Sequence, residues 1–295
     1  MQNGIIKDKP RKHIGLKTKN KISNIIIYVL LTIMSIIWLV PFVLILLQSF
    51  ECGTNGGFTN KAFPTTWGID NYVKLFTETN FLKWYLNTFI IALFVCVIQT
   101  IIVLCMSYTL SRLRFKGRKG LMNLMLVLGM FPGFLTMIVL YYVLKTLHLT
   151  QTGAVPGLIL VYVASSGMGY YVSKGFFDTV PKSLDEAARV DGATRFQVLY
   201  KVILPLSKPI VIYTLLTAFM APWGDFIFAR YIAFGAEQGY NVAVGLWSFL
   251  QKDLVPTHYT MFCAGGVIVA IPVTILFMLL QRYYVEGVTG GAVKG

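Results

Sequence analysis

Few residues in this chain are spaced to do covalent chemistry. The three histidines, His13, His148 and His258, lie in separate segments, so no Ser/His/Asp, Cys/His or metal-ligand set gathers around them. Of the four cysteines, Cys96, Cys105 and Cys263 fall inside apolar runs and Cys52 in a polar loop, with no disulfide framework, so all four read as packing residues. A phosphate-binding loop needs its lysine to follow glycine, but Lys182-Ser183 follows Pro181, so this pair does not form a nucleotide site.

The spacing that does carry meaning suits non-covalent docking. Between Lys174 and Pro209 a run of Asp178, Lys182, Asp185, Glu186, Arg189, Asp191, Arg195, Lys201 and Lys208 interrupts an otherwise apolar sequence. Ser183-Leu-Asp-Glu186 fits a capping box, which predicts a helix from Ser183 through Val190 that stops at Gly192. Thr194-Arg-Phe-Gln197 repeats the signature and predicts a second helix, ending before Pro205 because proline disfavours helical geometry in its predecessor. On the first helix Ala187, Ala188 and Gly192 permit close approach, Leu184 and Val190 offer apolar contact, and Glu186 offers a charge to an opposing cation. An amphipathic loop helix lying on a membrane fits the same spacing.

The elements that hold this loop are membrane spans. The chain has 295 residues, of which 56% are hydrophobic and 13% charged, and a mean hydropathy of +0.68. Uncharged windows at 22–50, 84–111, 120–144, 146–173 and 254–281 each exceed the roughly 20 residues a bilayer requires. A shorter run, 209–224, followed by Asp225 and Arg230, supplies a sixth span with an indistinct end. The expected fold class is therefore all-α, a polytopic membrane protein with six transmembrane helices. Residues 1–21 form a basic tail, and 22–83 the first helix and an external loop with a short amphipathic piece at Asp70 to Phe76. The run from Ile22 is too long for a cleaved signal and reads as a retained span.

Twenty of the 26 Lys and Arg residues lie in the amino-terminal tail, the second and fourth loops and the carboxyl-terminal tail, while the acidic residues divide evenly. Retention of basic loops on the inner side then puts both termini in the cytoplasm. The formal net charge of +14 reports topology and contact with anionic membrane lipid, and no nucleic-acid partner is expected. The basic hairpin Arg112 to Lys119 reads as a topological anchor. Gly129, Pro132 and Gly133 predict a bend in the third span, and bent spans commonly line cavities. Ala164, Ser165, Ser166, Gly167 and Gly169 in the fourth permit close helix packing.

Glu186-Ala-Ala-Arg-Val-Asp-Gly192, followed by Ile203-Leu-Pro205, closely resembles the "EAA" loop of binding-protein-dependent ABC importer permeases. The resemblance runs from about Trp84 to Arg282, and the ending Gly287-Val-Thr-Gly-Gly-Ala-Val-Lys-Gly295 looks like the tail of the carbohydrate branch, notably its smaller maltose and maltodextrin permease. It implies a type I importer permease fold, with a transmembrane domain at 84–282, a coupling loop at 177–208 and a cytoplasmic tail at 283–295. It also implies a non-enzymatic permease subunit that binds no cofactor, while a dimeric ATPase partner uses ATP and Mg. The further partners implied are a second, related permease, an extracellular or periplasmic solute-binding protein and a carbohydrate substrate; a homodimer of permeases stays open. Alternating access follows: closure of the ATPase dimer draws the coupling helices together and turns the cavity outward, and hydrolysis returns it.

Carried over residue by residue, the resemblance puts Ser183, Leu184, Asp185, Glu186, Ala187, Ala188, Arg189, Asp191, Gly192, Leu204 and Pro205 in the coupling element. It puts Gly290, Gly291 and Lys294 near the ATPase interface. Trp223, Asp225 and Arg230 are unusual near a membrane boundary and read either as a path or as structural partners. Asp225 and Arg230, five apart, make a poor intrahelical pair, so partners on other elements are expected. Tyr170, Tyr171 and Tyr213 suit a sugar path, while Tyr240, Trp247 and Phe249 suit contact with the binding protein or anchoring at the interface. An ABC permease for another solute, or an ion-coupled secondary transporter centred on Asp225, remain alternatives.

Overall fold

The computed structural model describes residues 16–58, 61–130, 133–165 and 167–289. Its helices, in order, are α1 (Leu16–Ser49), α2 (Asp70–Thr77), α3 (Phe81–Arg112), α4 (Arg118–Gly129), α5 (Gly133–Thr146), α6 (Ala154–Ala164) and α7 (Gly167–Thr179). The short helices α8 (Lys182–Val190), α9 (Arg195–Gln197) and α10 (Leu204–Leu206) follow, a π-helical turn at Val198–Ile203 joining the last two. Then come α11 (Lys208–Gly224), α12 (Ile227–Ala233), α13 (Val242–Ser248) and α14 (Val255–Thr289). Among the described residues the only β pairing is an isolated bridge between Glu51 and Trp67.

Four helical stretches are long and apolar enough to cross a bilayer, at Ser23–Ser49, Phe81–Arg112, Gln151–Thr179 and Val255–Tyr283. Two bent pairs bring the number to six: α4 with α5, at 97°, and Arg195–Leu206 with α11, at 89°. The first bend falls between Gly129 and Gly133, where the sequence predicts one, although Pro132 lies outside the described residues. The fifth span ends at Gly224, after which Asp225 is extended and α12 begins a separate turn. Large apolar side chains such as Trp38, Phe42, Phe94, Phe134 and Met278 are at least half exposed. That outward-facing apolar surface is stable in lipid, where no water has to be ordered around it.

α3 is the central element, and it packs on α6, α7, α11 and α13, while α14 packs on α1, α2 and α11. At 32 residues it is about 48 Å long, so its two ends join two separate cores. Near its start Phe81, Trp84, Ile91 and Val95 cluster with Leu158, Trp223, Ile232, Tyr240, Val242 and Phe249. Near its end Leu104 and Tyr108 cluster with Phe177, Val180, Val198, Leu199, Ile203 and Ile210.

The segment between α1 and α3 is more ordered than a loop reading suggests. α2 forms where the amphipathic piece is predicted, and it buries Asn71 and Leu75. Asn71 Nδ2 donates to the Ser49 and Glu51 carbonyls at 3.0 and 2.8 Å, and Thr260 donates to Asn71 Oδ1 at 2.8 Å. Glu51 is fully buried and accepts from the Gly53 and Thr65 backbone N–H groups and the Thr65 hydroxyl. Burial opposes ionisation there, but these hydrogen bonds outweigh it and hold the Glu51 carboxyl below its ordinary value.

Candidate functional site

The predicted helix, glycine turn and second helix all form between α7 and α11, with two local corrections. The Ser183 capping box is absent: α8 starts one residue earlier, with Pro181 at its N-cap and no side-chain cap. Pro181 is extended at ψ 131° and leads straight into Lys182, which leaves Ser183 inside the first turn and not at the N-cap position a capping side chain needs. The second helix does not stop before Pro205. It continues through a π-helical turn into Leu204–Leu206 and breaks at Ser207. The wider turn shifts the acceptor by one residue, so proline's missing N–H loosens the helix there and the chain bends only afterwards.

Other local signals hold. Asp185 sits in the first turn of α8 and Arg189 in the last, each favourable to the helix dipole. Gly192 has φ +84°, the Gly192 N–H reaches the Arg189 carbonyl at 3.1 Å and the Ala193 N–H reaches the Ala188 carbonyl at 3.0 Å. This is a Schellman closure, which glycine accepts without steric cost. Thr194 N–H donates to Gln197 Oε1 at 2.7 Å and Gln197 N–H to Thr194 Oγ1 at 3.3 Å, the complete capping box.

Packing then gives α8 two faces. Ala188 and Ala193 rest on the Phe177, Val198 and Ile203 cluster. Ser183, Leu184, Glu186, Ala187, Arg189, Asp191 and Gly192 are exposed, and Val190 is 88% exposed. With Leu184 also exposed, this loop presents apolar side chains that a partner can reach. Phe196 and Tyr200, which the sequence reading passes over, stack at 5.4 Å beside it and are also exposed. Leu204 packs inward and Pro205 lies at the surface. Gly290, Gly291 and Lys294 lie outside the described residues.

One further residue joins the site from a distance. Arg112, assigned to a topological anchor on sequence, is 4% exposed and stands 3.0 Å from the Asp185 carboxylate, while its Nη2 donates to the Val180 carbonyl at 2.8 Å. It ties the end of α3 to both α8 and the turn before it. Ser111 donates to Asp178 at 2.6 Å and Lys174 pairs with the same carboxylate at 2.5 Å. Burial pushes the Asp185 carboxyl up; Arg112 opposes the rise and Glu186 adds to it. Nothing in local spacing marks Arg112, since its partner is set by tertiary packing.

The residues proposed for a path separate into three places. Tyr213 lines a cavity of about 300 Å³ with Gln99, Ser165, Thr214 and Thr217. Tyr170 is buried, its carbonyl accepting from Ser107 at 3.2 Å, and Tyr171 donates to the Met122 carbonyl. Trp223 belongs to the larger core, stacked on Tyr85 and Phe219. Asp225 accepts from the Tyr162 hydroxyl and, at 3.1 Å, from the Phe228 N–H at the start of α12. Arg230 donates to the Tyr240 hydroxyl at 2.9 Å and lies over the Tyr240 and Trp247 rings at 5.6 and 5.0 Å. Asp225 and Arg230 thus find partners on different elements. Tyr240 and Phe249 are buried, and Trp247 is 38% exposed.

Comparison with known proteins supplies what a single chain cannot. Residues 102–290 match the family described as the binding-protein-dependent transport system inner membrane component. The maltodextrin transport system permease protein MdxG of Bacillus subtilis is 36% identical over 282 residues, covering 94% of this chain and 99% of that protein. The galactooligosaccharides transport system permease protein GanQ of the same organism is 34% identical and covers 95% and 99%. The fold matches a bacterial ABC transporter crystallised as an importer of the acidic polysaccharide alginate, with a TM-score of 0.77 at 24% identity over 90% of this chain and 98% of that one. A second match, with a TM-score of 0.61 at 18% identity over 90% and 95%, is an alginate ABC transporter in complex with its pentasaccharide-bound periplasmic protein. A multi-pass all-helical chain matched by the family over most of its length, with relatives above 30% identity from end to end, belongs to the inner membrane components of binding-protein-dependent transport systems.

Proposed function

We propose that this chain is the permease subunit of an ATP-driven carbohydrate importer and that α8 is the helix through which a separate ATPase drives it. The observation that carries the docking role is Val190, 88% exposed on a helix closed by a Schellman turn and pinned through Asp185 to Arg112. Such a helix has a bare apolar tip and a stiff connection to a membrane span, so force applied at the tip reaches α3. The exposed carboxylate of Glu186 offers the partner a charge. Both termini and this loop lie in the cytoplasm on this reading, as the distribution of Lys and Arg favours.

The partners are a dimeric ATPase that uses ATP and Mg, a second homologous permease that completes the path, and an external solute-binding protein. The substrate is maltose, maltodextrin or a related oligosaccharide, a reading supported by the maltodextrin and galactooligosaccharide permeases among the relatives. The cavity at Gln99, Tyr213 and Thr217 is this chain's share of the path; its mixed lining sets hydroxyls and an amide beside apolar side chains, which suits a sugar's hydroxyls and ring faces. Residues 84–282 are the transmembrane domain and 177–208 its coupling loop.

Glu186→Lys tests the docking role in proteoliposomes containing the whole complex. The variant is expected to insert normally, lose its ATPase on purification and stop ATP-dependent uptake. Normal uptake with the ATPase bound as before would remove α8 from that role. A maltodextrin that the solute-binding protein fails to bind would remove the substrate reading alone.

A further inference from the structure

The end of α3, the start of α4 and one flank of α8 enclose a hollow of about 390 Å³, which shares Asp185, Glu186 and Arg189 with the coupling helix but whose α3–α4 wall has no part in the docking role. Six cationic side chains line it, Arg112, Arg114, Arg118, Lys182, Arg189 and Arg195, against two carboxylates, Asp185 and Glu186. Arg112 is the most buried of the ion pair on its wall, with a side chain 4% exposed. Its Nη1 has no hydrogen-bond partner among the described residues, and its Nε, although 3.0 Å from Asp185, is not aligned to donate. A buried guanidinium with open donors is expensive unless an acceptor reaches it.

A second hollow of about 380 Å³ adjoins the first and shares Arg114 and Arg118 with it, adding Lys119, Phe115, Gly117 and Gly120. Here α4 starts just after Gly117, an N-cap without a side chain to cap it, so the positive end of a 12-residue helix faces the same cations. Phe115 is 42% exposed beside them. Cations, open guanidinium donors and an uncapped helix start converge at the boundary of two membrane spans, with an aromatic ring alongside. That combination fits a phosphate group with an apolar remainder.

We infer that this pair of hollows binds a phosphate group, supplied by the headgroup of an anionic phospholipid. The phosphate oxygens take the open donors of Arg112 and the forks of Arg114 and Arg118, while Phe115 lies against the glycerol and the first acyl carbons. The lipid then braces the α3–α4 hairpin against α8 at the joint that Arg112 holds.

Native mass spectrometry of the full-length chain in nanodiscs of phosphatidylcholine doped with phosphatidylglycerol tests this without any ATPase, so its outcome is separate from that of the docking role. Wild type is expected to retain phosphatidylglycerol over phosphatidylcholine. The Arg114→Gln/Arg118→Gln double variant, which spares the buried Arg112, should lose that retention about tenfold. Lys201→Gln, outside both hollows, should leave it unchanged. Retention that survives excess inorganic phosphate identifies the lipid as the source; displacement by inorganic phosphate with the same dependence on Arg114 and Arg118 identifies a soluble phosphate in the same site. Equal retention of the two lipids together with no phosphate binding would overturn the site. So would a double variant indistinguishable from wild type, or an equal loss in Lys201→Gln.

Discussion

The two ends of α3 are built differently. At the Trp84 end, buried Asn241 caps α13 by accepting from Val244 at 3.0 Å and donates to the Pro222 and Asp225 carbonyls, and Thr88 accepts from the Val242 N–H at 2.7 Å. Glu51 and Asn71 are likewise satisfied within the chain, and the buried polar atoms left over are neutral, the Gln48 amide oxygen and the indole N–H groups of Trp84 and Trp223. At the Arg112 end the atoms left over include charged groups, Arg112 Nε and Nη1 and Asp185 Oδ1, together with the Ser207 hydroxyl, while the Thr100 hydroxyl is left over midway along α3. One end leaves only neutral groups open. The other carries open charged valences beside an exposed Val190, as a surface does when it works by meeting other molecules.

That contrast can be broken most directly at the Arg112–Asp185 pair. Arg112→Met leaves the part-buried Asp185 without its counter-charge, and a loss of about 2 kcal/mol of stability is expected, because removing one partner costs more than the pair contributes. Thermal unfolding of the purified complex should show it, and adding Asp185→Leu should restore most of the loss; a double variant as unstable as the single would mean that Arg112 acts elsewhere. At the Trp84 end, Gly245→Ala drives a Cβ into the Trp84 indole, and overpacking of about 2 kcal/mol should appear in the same assay. Because that end lies away from α8, ATPase binding by the folded fraction should be unchanged.

Gly192→Ala should cost about 1 kcal/mol, through its positive φ alone, since open space surrounds the position. Its larger effect should be a lower ratio of transport to ATP hydrolysis, and a variant with full coupling would show that the Schellman closure is dispensable. The smallest expected effect separates the ends by pH. Glu51 is held below its ordinary value, so its contribution is complete above the unfolded carboxylate range and is lost as pH falls through the folded value. Asp185 is raised, so its ionised form weakens the fold, and acidification through its folded value relieves that cost. Glu51→Gln should therefore flatten the acid limb of the stability profile, while Asp185→Asn should lower stability most at acid pH and gain on wild type as pH rises through the Asp185 folded value; identical profiles for the two variants would erase the distinction.

The local features of the loop were legible because they rest on contacts within a few residues. Thr194 and Gln197 are three apart, Gly192 follows its helix directly, and the α4–α5 break falls where Gly129 and Gly133 predict it. Ser183 and Pro205 misled for the same reason. A capping signature fits more than one start, and Pro181 chose the earlier one; a proline limits a helix only while the turn before it stays α-helical. The path residues were the least legible, since Tyr170, Tyr213 and Trp223 are alike in sequence context and only packing sends Tyr213 to the cavity and the others into cores.

By itself the sequence determined what short-range chemistry and hydropathy can dictate: six apolar stretches, the breaks between them, a loop with a glycine stop, and the motif that assigns the family. Tertiary structure alone decided that Arg112 pairs with Asp185, that Asp225 turns to Tyr162 and Arg230 to Tyr240 and Trp247, and that Val190 is left bare. The physical reason is that charges in a low-dielectric setting take whichever partner the packed helices bring within reach. That reach is fixed by how α3 crosses α7, α11 and α13, and no spacing along the chain encodes it.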